Sequence, residues 1–290
     1  MTERSYRGRF APSPTGPLHF GSLVTAVASY AEAKSRQGQW LVRIEDLDPL
    51  RENPEASDHI LHSLTCHGLT PDEPVRFQSQ RHSAYQHAID QLLKTQQAYR
   101  CACSRKQLQA HQGRHPERCR EGECQPGKRP FAIRFALQDE RCHWQDDLLG
   151  AQGQQVRAET DDPVILRKEA FYAYQLAVVV DDINQRITDV VRGSDLLEMT
   201  AQQQQIYRAL GAAPPRWIHI PVILNEQGQK LSKQNHAPAL DDQQPASNLI
   251  QALQALGQQP PARLQRFSVG DILKWAAEHW RREAIPLTSR

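Results

Sequence analysis

The sequence predicts an α/β fold built on a parallel sheet, and three features of it do so. A strand–turn–helix–strand run opens the chain, and further strand-length apolar segments recur after position 160. Between them lies a stretch rich in Cys, Arg, Gly and Gln that lacks apolar periodicity and reads as an insertion. A strand, a helix and a second strand make a βαβ unit, which places its strands parallel.

The elements follow in order. Arg7 to Ala11 is a short strand, and the PSPTGP run at 12–17 stops it, because two prolines and a glycine so close together forbid regular structure. Gly21 to Lys34 is Ala-rich with apolar residues at helical spacing, and Gly38 is the expected C-cap. Trp40 to Ile44 is the second strand and runs into the acidic loop Glu45-Asp46-Leu47-Asp48. Residues 55–69 and 81–97 read as two helices. Regular structure returns at Val164 to Leu166 and at Ala173 to Asp182, and Val190 to Gly193 ends another strand. Asp195 to Leu210 is a helix closed by Gly211, Trp217 to Leu224 a buried strand, and Asn225 to His236 a polar loop. Helices near 247–256 and 268–284 flank a Gln/Pro-rich break, and the chain shows no internal repeat.

Composition narrows the class. The 290 residues are 39% hydrophobic and 23% charged, with a net charge of +2, as in a globular protein with a real core. No apolar run approaches bilayer length, and the N-terminus has no apolar stretch behind its charges, so the expectation is a cytoplasmic protein without membrane contact. Four of the six cysteines lie between 101 and 124, and in a reducing compartment that clustering points to metal rather than disulfides.

Two short segments carry phosphate chemistry. His19-Phe20-Gly21-Ser22 stands where the Pro-rich turn meets the first helix, and a helix N-terminus attracts phosphate through unpaired N–H groups and its partial positive charge. Gly21 would let a flat base approach the backbone, and His19 can donate to a phosphate oxygen. Lys230-Leu231-Ser232-Lys233 follows a buried strand, and its two lysines can neutralise charge developing on a phosphate. Alone, the first reads as an ordinary loop histidine and the second as a solvated charged loop. Together, each at a strand end of one α/β pattern, they mark one nucleotide site.

HFGS and KLSK resemble the two signatures of class I aminoacyl-tRNA synthetases, and RFAPSPTGPLHFGS followed by RIEDLDPLR is similar to the glutamyl/glutaminyl branch. The resemblance covers about 1–100 and 160–245. It implies a Rossmann-type catalytic domain over 1–98 and 160–240, an acceptor-binding-type insertion over 99–159, and a helical region over 241–290. It also implies ATP with Mg²⁺, an aminoacyl-adenylate, and a ligase-type enzyme. The ATP residues would be His19, Gly21, Ser22, Lys230, Leu231, Ser232 and Lys233, with His19, Lys230 and Lys233 stabilising the reacting phosphate.

The amino-acid pocket follows from the same resemblance: Arg9, Phe10, Ala11, Pro12, Ser13, Glu45, Tyr174 and Arg192. Arg192 would hold the side-chain carboxylate of L-glutamate, since a guanidinium matches a carboxylate bidentately, and Glu45 would hold the α-ammonium group. Arg9, Glu45, Tyr174 and Arg192 each fall at or near the C-terminal end of a predicted strand; without the motif context, Glu45 and Arg192 read equally well as a surface ion pair. No side chain need act as a base, because the α-carboxylate is already ionised at neutral pH.

In the insertion, Cys101, Cys103, His115 and Cys119 are a candidate structural zinc set. Shortened relatives show a C-x-C pair, then a tyrosine and a cysteine, and His115 stands at the tyrosine position. Cys124 is a rival fourth ligand, and a set of incidental buried thiols or a degraded site stays open. After KLSK only about 57 residues remain, where ordinary glutamyl- and glutaminyl-tRNA synthetases carry an anticodon-reading region. This shortened form is similar to the glutamyl-queuosine tRNA(Asp) synthetases, which implies a monomer that transfers glutamate to queuosine in tRNA(Asp). The alternatives are a truncated paralogue charging a tRNA 3′ end, a non-catalytic RNA-binding paralogue, and a related nucleotidyl transferase acting on a small molecule.

Overall fold

The computed structural model describes residues 5–50, 52–53, 55–116, 118–123, 130–225, 228–231 and 237–288. Strand β1 (Arg7–Phe10), helix α1 (Phe20–Ser35) and strand β2 (Gln39–Ile44) form the expected βαβ unit, with Arg7 to Phe10 paired parallel to Gln39 to Val42. Helix α2 (Ala56–Cys66) leads to the two-residue strand β3 (Arg76–Phe77), which lies parallel on the far side of β2.

Gly38 does not take the left-handed C-cap conformation expected of it. Gln37 does, with φ 52°, and a Cβ at Gly38 would stand 2.6 Å from the Tyr6 carbonyl oxygen. Glycine is needed there because two backbones approach closely, not because of the turn.

After α3 (His82–Lys94), the chain makes β4 (Ala98–Cys101), α4 (Arg105–Ala110) and β5 (Ala132–Phe135). The hairpin of β6 (Glu140–Asp146) and β7 (Gly150–Val156) follows, then β8 (Val164–Leu166). Strands β4, β5 and β8 make a small antiparallel sheet. Helix α5 (Tyr174–Asn184) precedes β9 (Asp189–Gly193), and α6 (Thr200–Ala209) precedes β10 (Arg216–Ile220). β10 pairs parallel with β9 on one side and meets β6 at Trp217 and Asp146 on the other. The Arg7 N–H donates to Thr188 Oγ1 (2.8 Å) and the Thr188 N–H to the Arg7 carbonyl (2.9 Å), which brings the start of β9 alongside β1.

Tyr174 therefore opens a helix rather than ending a strand. The β-branched run after it reads as a strand in isolation, but Leu176 to Asp182 are all buried. A helix enclosed on all sides carries no polar face to announce its period, and burial overrides the local β preference.

The tail forms α7 (Pro245–Ala255) and α8 (Val269–Glu278), both packed on α1. The buried carboxylate of Glu32 on α1 fastens this contact, accepting from Trp280 Nε1 (2.6 Å), Arg36 and Arg282. Two large apolar clusters result, beside a small one around Tyr99, Cys101 and Cys119. The first joins Tyr6, Leu23, Val27 and Trp40 to Leu249, Leu253, Ile272 and Ile285. The second lies within 41–217 and includes Tyr85, Ile89, Phe135, Leu176 and Trp217.

Gly257 sits at the bend after α7 with φ 71°, and a Cβ there would lie 1.9 Å from the Ala284 carbonyl oxygen. Gly257→Ala should therefore loosen the tail on α1. A drop in stability of about 1–3 kcal/mol is expected, read as a lower urea midpoint.

Candidate active site

The carboxyl ends of β1 and β9, the N-terminus of α1 and the segment after β10 enclose one cavity of about 660 Å³. That size suits a small-molecule ligand. Phe10, Ala11, Pro12 and Ser13 form one wall, while His19, Gly21 and Ser22 form the helix-terminal end. Tyr174, Arg192, Lys230 and Leu231 face it from the other chain segments. Thr15, Thr25 and Asp195, which the motifs did not single out, also line it.

His19 is the N-cap of α1. Its Nδ1 accepts from the Ser22 N–H (3.3 Å) and its Nε2 lies 3.2 Å from Ser22 Oγ. The first turn of α1 holds no acidic residue, so the positive end of this 16-residue helix opens on the cavity undiminished. A Cβ on Gly21 would sit 3.2 Å from the His19 ring and 3.7 Å from Leu231, so glycine keeps the passage between the two signature loops clear. The loops are joined by backbone as well. The Leu240 N–H donates to the Leu18 carbonyl (2.9 Å), and His19 and Ala239 form an antiparallel bridge.

Beneath the wall lies a buried charge network. Arg9 Nε donates to both oxygens of Asp182 (3.1 and 3.3 Å). Arg43 donates to Asp182 (2.8 Å), Gln185 (2.8 Å) and Glu45 (3.2 Å). Burial works to raise the Asp182 pKa, and the two guanidiniums outweigh it and hold the carboxyl below its ordinary range. Glu45 behaves oppositely: burial raises its pKa despite Arg43 and Arg9. Its N–H donates to the Pro12 carbonyl (2.9 Å) and its carboxylate turns toward Arg43. It is not itself a lining residue, although its charge is felt at the hydroxyl of the half-buried Tyr174.

Arg192 is different. It is 4% exposed at the end of β9, and every partner of its guanidinium is neutral. Nε donates to His219 Nε2 (2.9 Å), one terminal nitrogen to Gln203 (2.7 Å), and the other to Thr200 Oγ1 (2.9 Å) and the Leu196 carbonyl (3.3 Å). Among the described residues no carboxylate lies within ion-pairing distance of it. Burial, the largest influence, lowers its pKa. A guanidinium stays charged regardless, so the protein holds a desolvated cation at the cavity edge whose missing counter-charge a ligand can supply.

On the far side, the segment after β10 folds back through a Leu224–Lys230 bridge. The Lys230 ammonium reaches the cavity while paired with Asp195 (2.6 Å), half-exposed. Ser232 and Lys233, expected to bind ATP, lie outside the described residues.

A second constellation lies in the region of the small antiparallel sheet. Cys101, Cys103, His115 and Cys119 are all buried, and their donor atoms all lie within 4.8 Å of one another. Cys101 Sγ is 3.3 Å from His115 Nδ1, and Cys103 Sγ is 3.5 Å from Cys119 Sγ. Tetrahedral zinc sets its ligands about 3.8 Å apart for two sulfurs and about 3.6 Å for sulfur and nitrogen, so the set fits that ion.

The tautomer agrees. Tyr99 Oη donates to Asp162 (2.7 Å) and so accepts from His115 Nε2–H (3.3 Å), leaving Nδ1 as a lone-pair donor. His111, the other histidine of this stretch, is exposed. Cys124 lies outside the described residues.

Sequence reasoning missed Asp146, Asp182, His219 and Arg43. Two signals pointed to Asp182 and His219: an acid pair straight after the apolar run LAVVV, and a lone histidine inside the strand WIHI. Groups of that kind are buried only with partners.

Comparison with known proteins agrees with this architecture. Residues 5–278 match the family described as tRNA synthetases class I (E and Q), catalytic domain. The chain is 46% identical over 286 residues to the glutamyl-Q tRNA(Asp) synthetase of Vibrio vulnificus strain CMCP6, covering 99% of this chain and 93% of that protein. It is equally 46% identical over 286 residues to the Escherichia coli K12 protein of the same name, covering 92% of it. A crystal structure of a glutamate tRNA ligase from Elizabethkingia meningosepticum CCUG26117, in complex with its amino acid, superposes with a TM-score of 0.80 at 26% identity. That match covers 97% of this chain and 66% of the ligase. Among the described residues no helix is long and apolar enough to cross a membrane.

Proposed function

The chain belongs to the class I tRNA synthetases of the E and Q type, and within them to the glutamyl-Q tRNA(Asp) synthetases, and from that premise we propose that it activates L-glutamate with ATP, without needing tRNA, and transfers the glutamyl group to queuosine in the anticodon loop of tRNA(Asp). The observation that carries the amino-acid half is Arg192, a buried cation at the cavity edge whose described partners are all neutral.

In this reading the side-chain carboxylate of glutamate pairs with Arg192. Glu45 meets the α-ammonium group, with Arg9, Tyr174 and the Phe10–Ser13 wall fixing the orientation. The raised pKa of Glu45 supports that role, since a buried carboxylate gains most from an arriving cation. The α-carboxylate attacks the α-phosphate of ATP, forming the acyl–phosphate bond as the bond to pyrophosphate breaks. His19, the amides of Gly21 and Ser22, Lys230, Leu231, Ser232 and Lys233 bind ATP, and His19 and the two lysines offset the charge that develops. Mg²⁺ accompanies the triphosphate. The contribution is positioning and electrostatic stabilisation, with no side-chain nucleophile.

The catalytic domain is 1–98 with 160–240, the acceptor-binding insertion 99–159, and the helical region 241–290. The enzyme works as a cytoplasmic monomer. Cys101, Cys103, His115 and Cys119 hold a structural zinc that fixes the insertion. Purified protein should carry one zinc per chain by plasma mass spectrometry, and Cys103→Ser should lose it. Retained stoichiometry in that variant would rule the set out.

The test of function is ATP–pyrophosphate exchange across the twenty amino acids without tRNA, followed by transfer of labelled glutamate. Exchange with glutamate alone, and label entering tRNA(Asp) only when it carries queuosine, is the expected pair of results. Label entering tRNA that lacks queuosine, or the 3′ end, would refute the acceptor; absence of exchange would refute the tRNA-independent activation.

A further inference from the structure

Arg192 owes its orientation largely to side chains that do not line the cavity. Its Nε–H points at His219 Nε2, 2.9 Å away. On the other side of the same ring, His219 Nδ1 lies 2.6 Å from Asp146 Oδ2. Both His219 and Asp146 are fully buried. Asp146 stands at the end of β6, where its other carboxylate oxygen accepts from the Leu148 (3.0 Å) and Leu149 (2.9 Å) N–H groups. The His219 N–H also approaches the carboxylate.

An ionised carboxylate only accepts, so Nδ1 must carry the ring proton and Nε2 must present its lone pair. That lone pair receives the Arg192 Nε–H. Thr200 Oγ1, 3.3 Å from Nε2 and an acceptor for Arg192, lies beside the same ring nitrogen.

We propose that Asp146 and His219 are positioning residues for glutamate recognition: the Asp146 carboxylate selects the histidine tautomer that holds the Arg192 fork toward the cavity. This deepens the glutamate pocket proposed above and rests on it. Within this arrangement the negative charge of Asp146 reaches Arg192 through one neutral ring. It orients the guanidinium without quenching it, and so leaves the cation free to pair with a ligand carboxylate. A carboxylate in direct contact would have neutralised it, as Asp182 does to Arg9. Tautomer selection by a buried Asp–His hydrogen bond is the same device that serine proteases use to present a lone pair.

The decisive variant is Asp146→Asn, which keeps shape and the acceptor for the Leu148 and Leu149 amides. The new amide donates to Nδ1, the ring proton moves to Nε2, and Arg192 Nε–H then faces another donor. Thr200 Oγ1 can accept a hydrogen bond from the new Nε2–H, but Arg192 still loses its acceptor. The expected result is a rise of about 10- to 100-fold in the glutamate KM of the exchange reaction, the scale of a lost hydrogen bond to a charged group. The ATP KM should change less than threefold.

A second pair reads the same contact from the ring position. His219→Gln can place an acceptor where Nε2 stood and should keep most of the affinity, whereas His219→Asn reaches only Asp146 and should lose it. The ¹⁵N shifts of the His219 ring report the tautomer directly and should show Nδ1–H in the parent and Nε2–H in Asp146→Asn.

An unchanged glutamate KM in Asp146→Asn, or an unchanged ring tautomer, would overturn the positioning role while leaving the glutamate pocket standing. Equal losses for ATP and glutamate, or equal behaviour of the two His219 variants, would reduce it to a structural contact. If the parent neither exchanges nor binds glutamate by calorimetry, the pocket reading itself fails and takes the proposal with it.

Discussion

Arg192→Gln should lower kcat/KM for glutamate in ATP–pyrophosphate exchange by about 10²- to 10³-fold, with the ATP affinity almost unchanged. The magnitude is that of removing one partner from a desolvated charge pair. The physical reason lies in the empty-site electrostatics. The protein bears the cost of a buried guanidinium with four neutral partners, Gln203, Thr200, His219 and Leu196, and that cost is repaid only when a carboxylate binds. The same variant should lose discrimination between glutamate and glutamine. A neutral amide gains little from the parent cation, so it has correspondingly little to lose. Steady-state exchange with both amino acids, alongside ATP titration calorimetry, measures this. A comparable loss of ATP affinity would place Arg192 in the nucleotide half of the cavity instead.

Asp182→Ala should have the largest effect on stability. Its carboxylate accepts from Arg9, Arg43 and Tyr207 and is nearly inaccessible. Removing it leaves the buried Arg9 without its carboxylate and takes one of the carboxylates paired with Arg43, a change that costs about 3–5 kcal/mol. For a protein of this size that is roughly a 10 °C fall in melting temperature. The acid limb follows from the same group. Its folded pKa is depressed, so its contribution is complete well above the unfolded aspartate value of about 3.9 and drains away as pH falls below about 5. Parent and variant should therefore differ most at neutral pH and converge in acid. Calorimetric melts from pH 7 to pH 3 check this, and a constant gap across that range would contradict it.

What the sequence made legible was chemistry tied to short local patterns. The PSPTGP stop, the helix start beside Gly21 and the place of Lys230 after β10 each follow from neighbours within a few residues. So does the Cys101–Cys103 pair, and all of these could be read in place. What stayed hidden depends on contacts between distant segments. Nothing near Asp146 announces that β6 will lie against β10 and bring it to His219 of that strand. The run holding Asp181 and Asp182 looks like strand because its β-branched residues answer to packing rather than to local preference. The sequence already offered His115 as the candidate ligand, but which of its ring nitrogens faces the thiols depends on Tyr99 and Asp162, more than sixty residues apart in the chain.

The first apolar cluster unites residues from Tyr6 to Ile285, whereas the second closes within 41–217. On a ribosome adding about 5–20 residues per second, α1 leaves the tunnel roughly 10–40 s before its covering helices α7 and α8 exist. The second cluster can condense in that interval, but the part of α1 that α7 and α8 cover stays bare until the tail arrives. Long-range closure of this kind is slow and prone to association. The helix whose N-terminus opens on the cavity is thus among the earliest segments made and among the last secured.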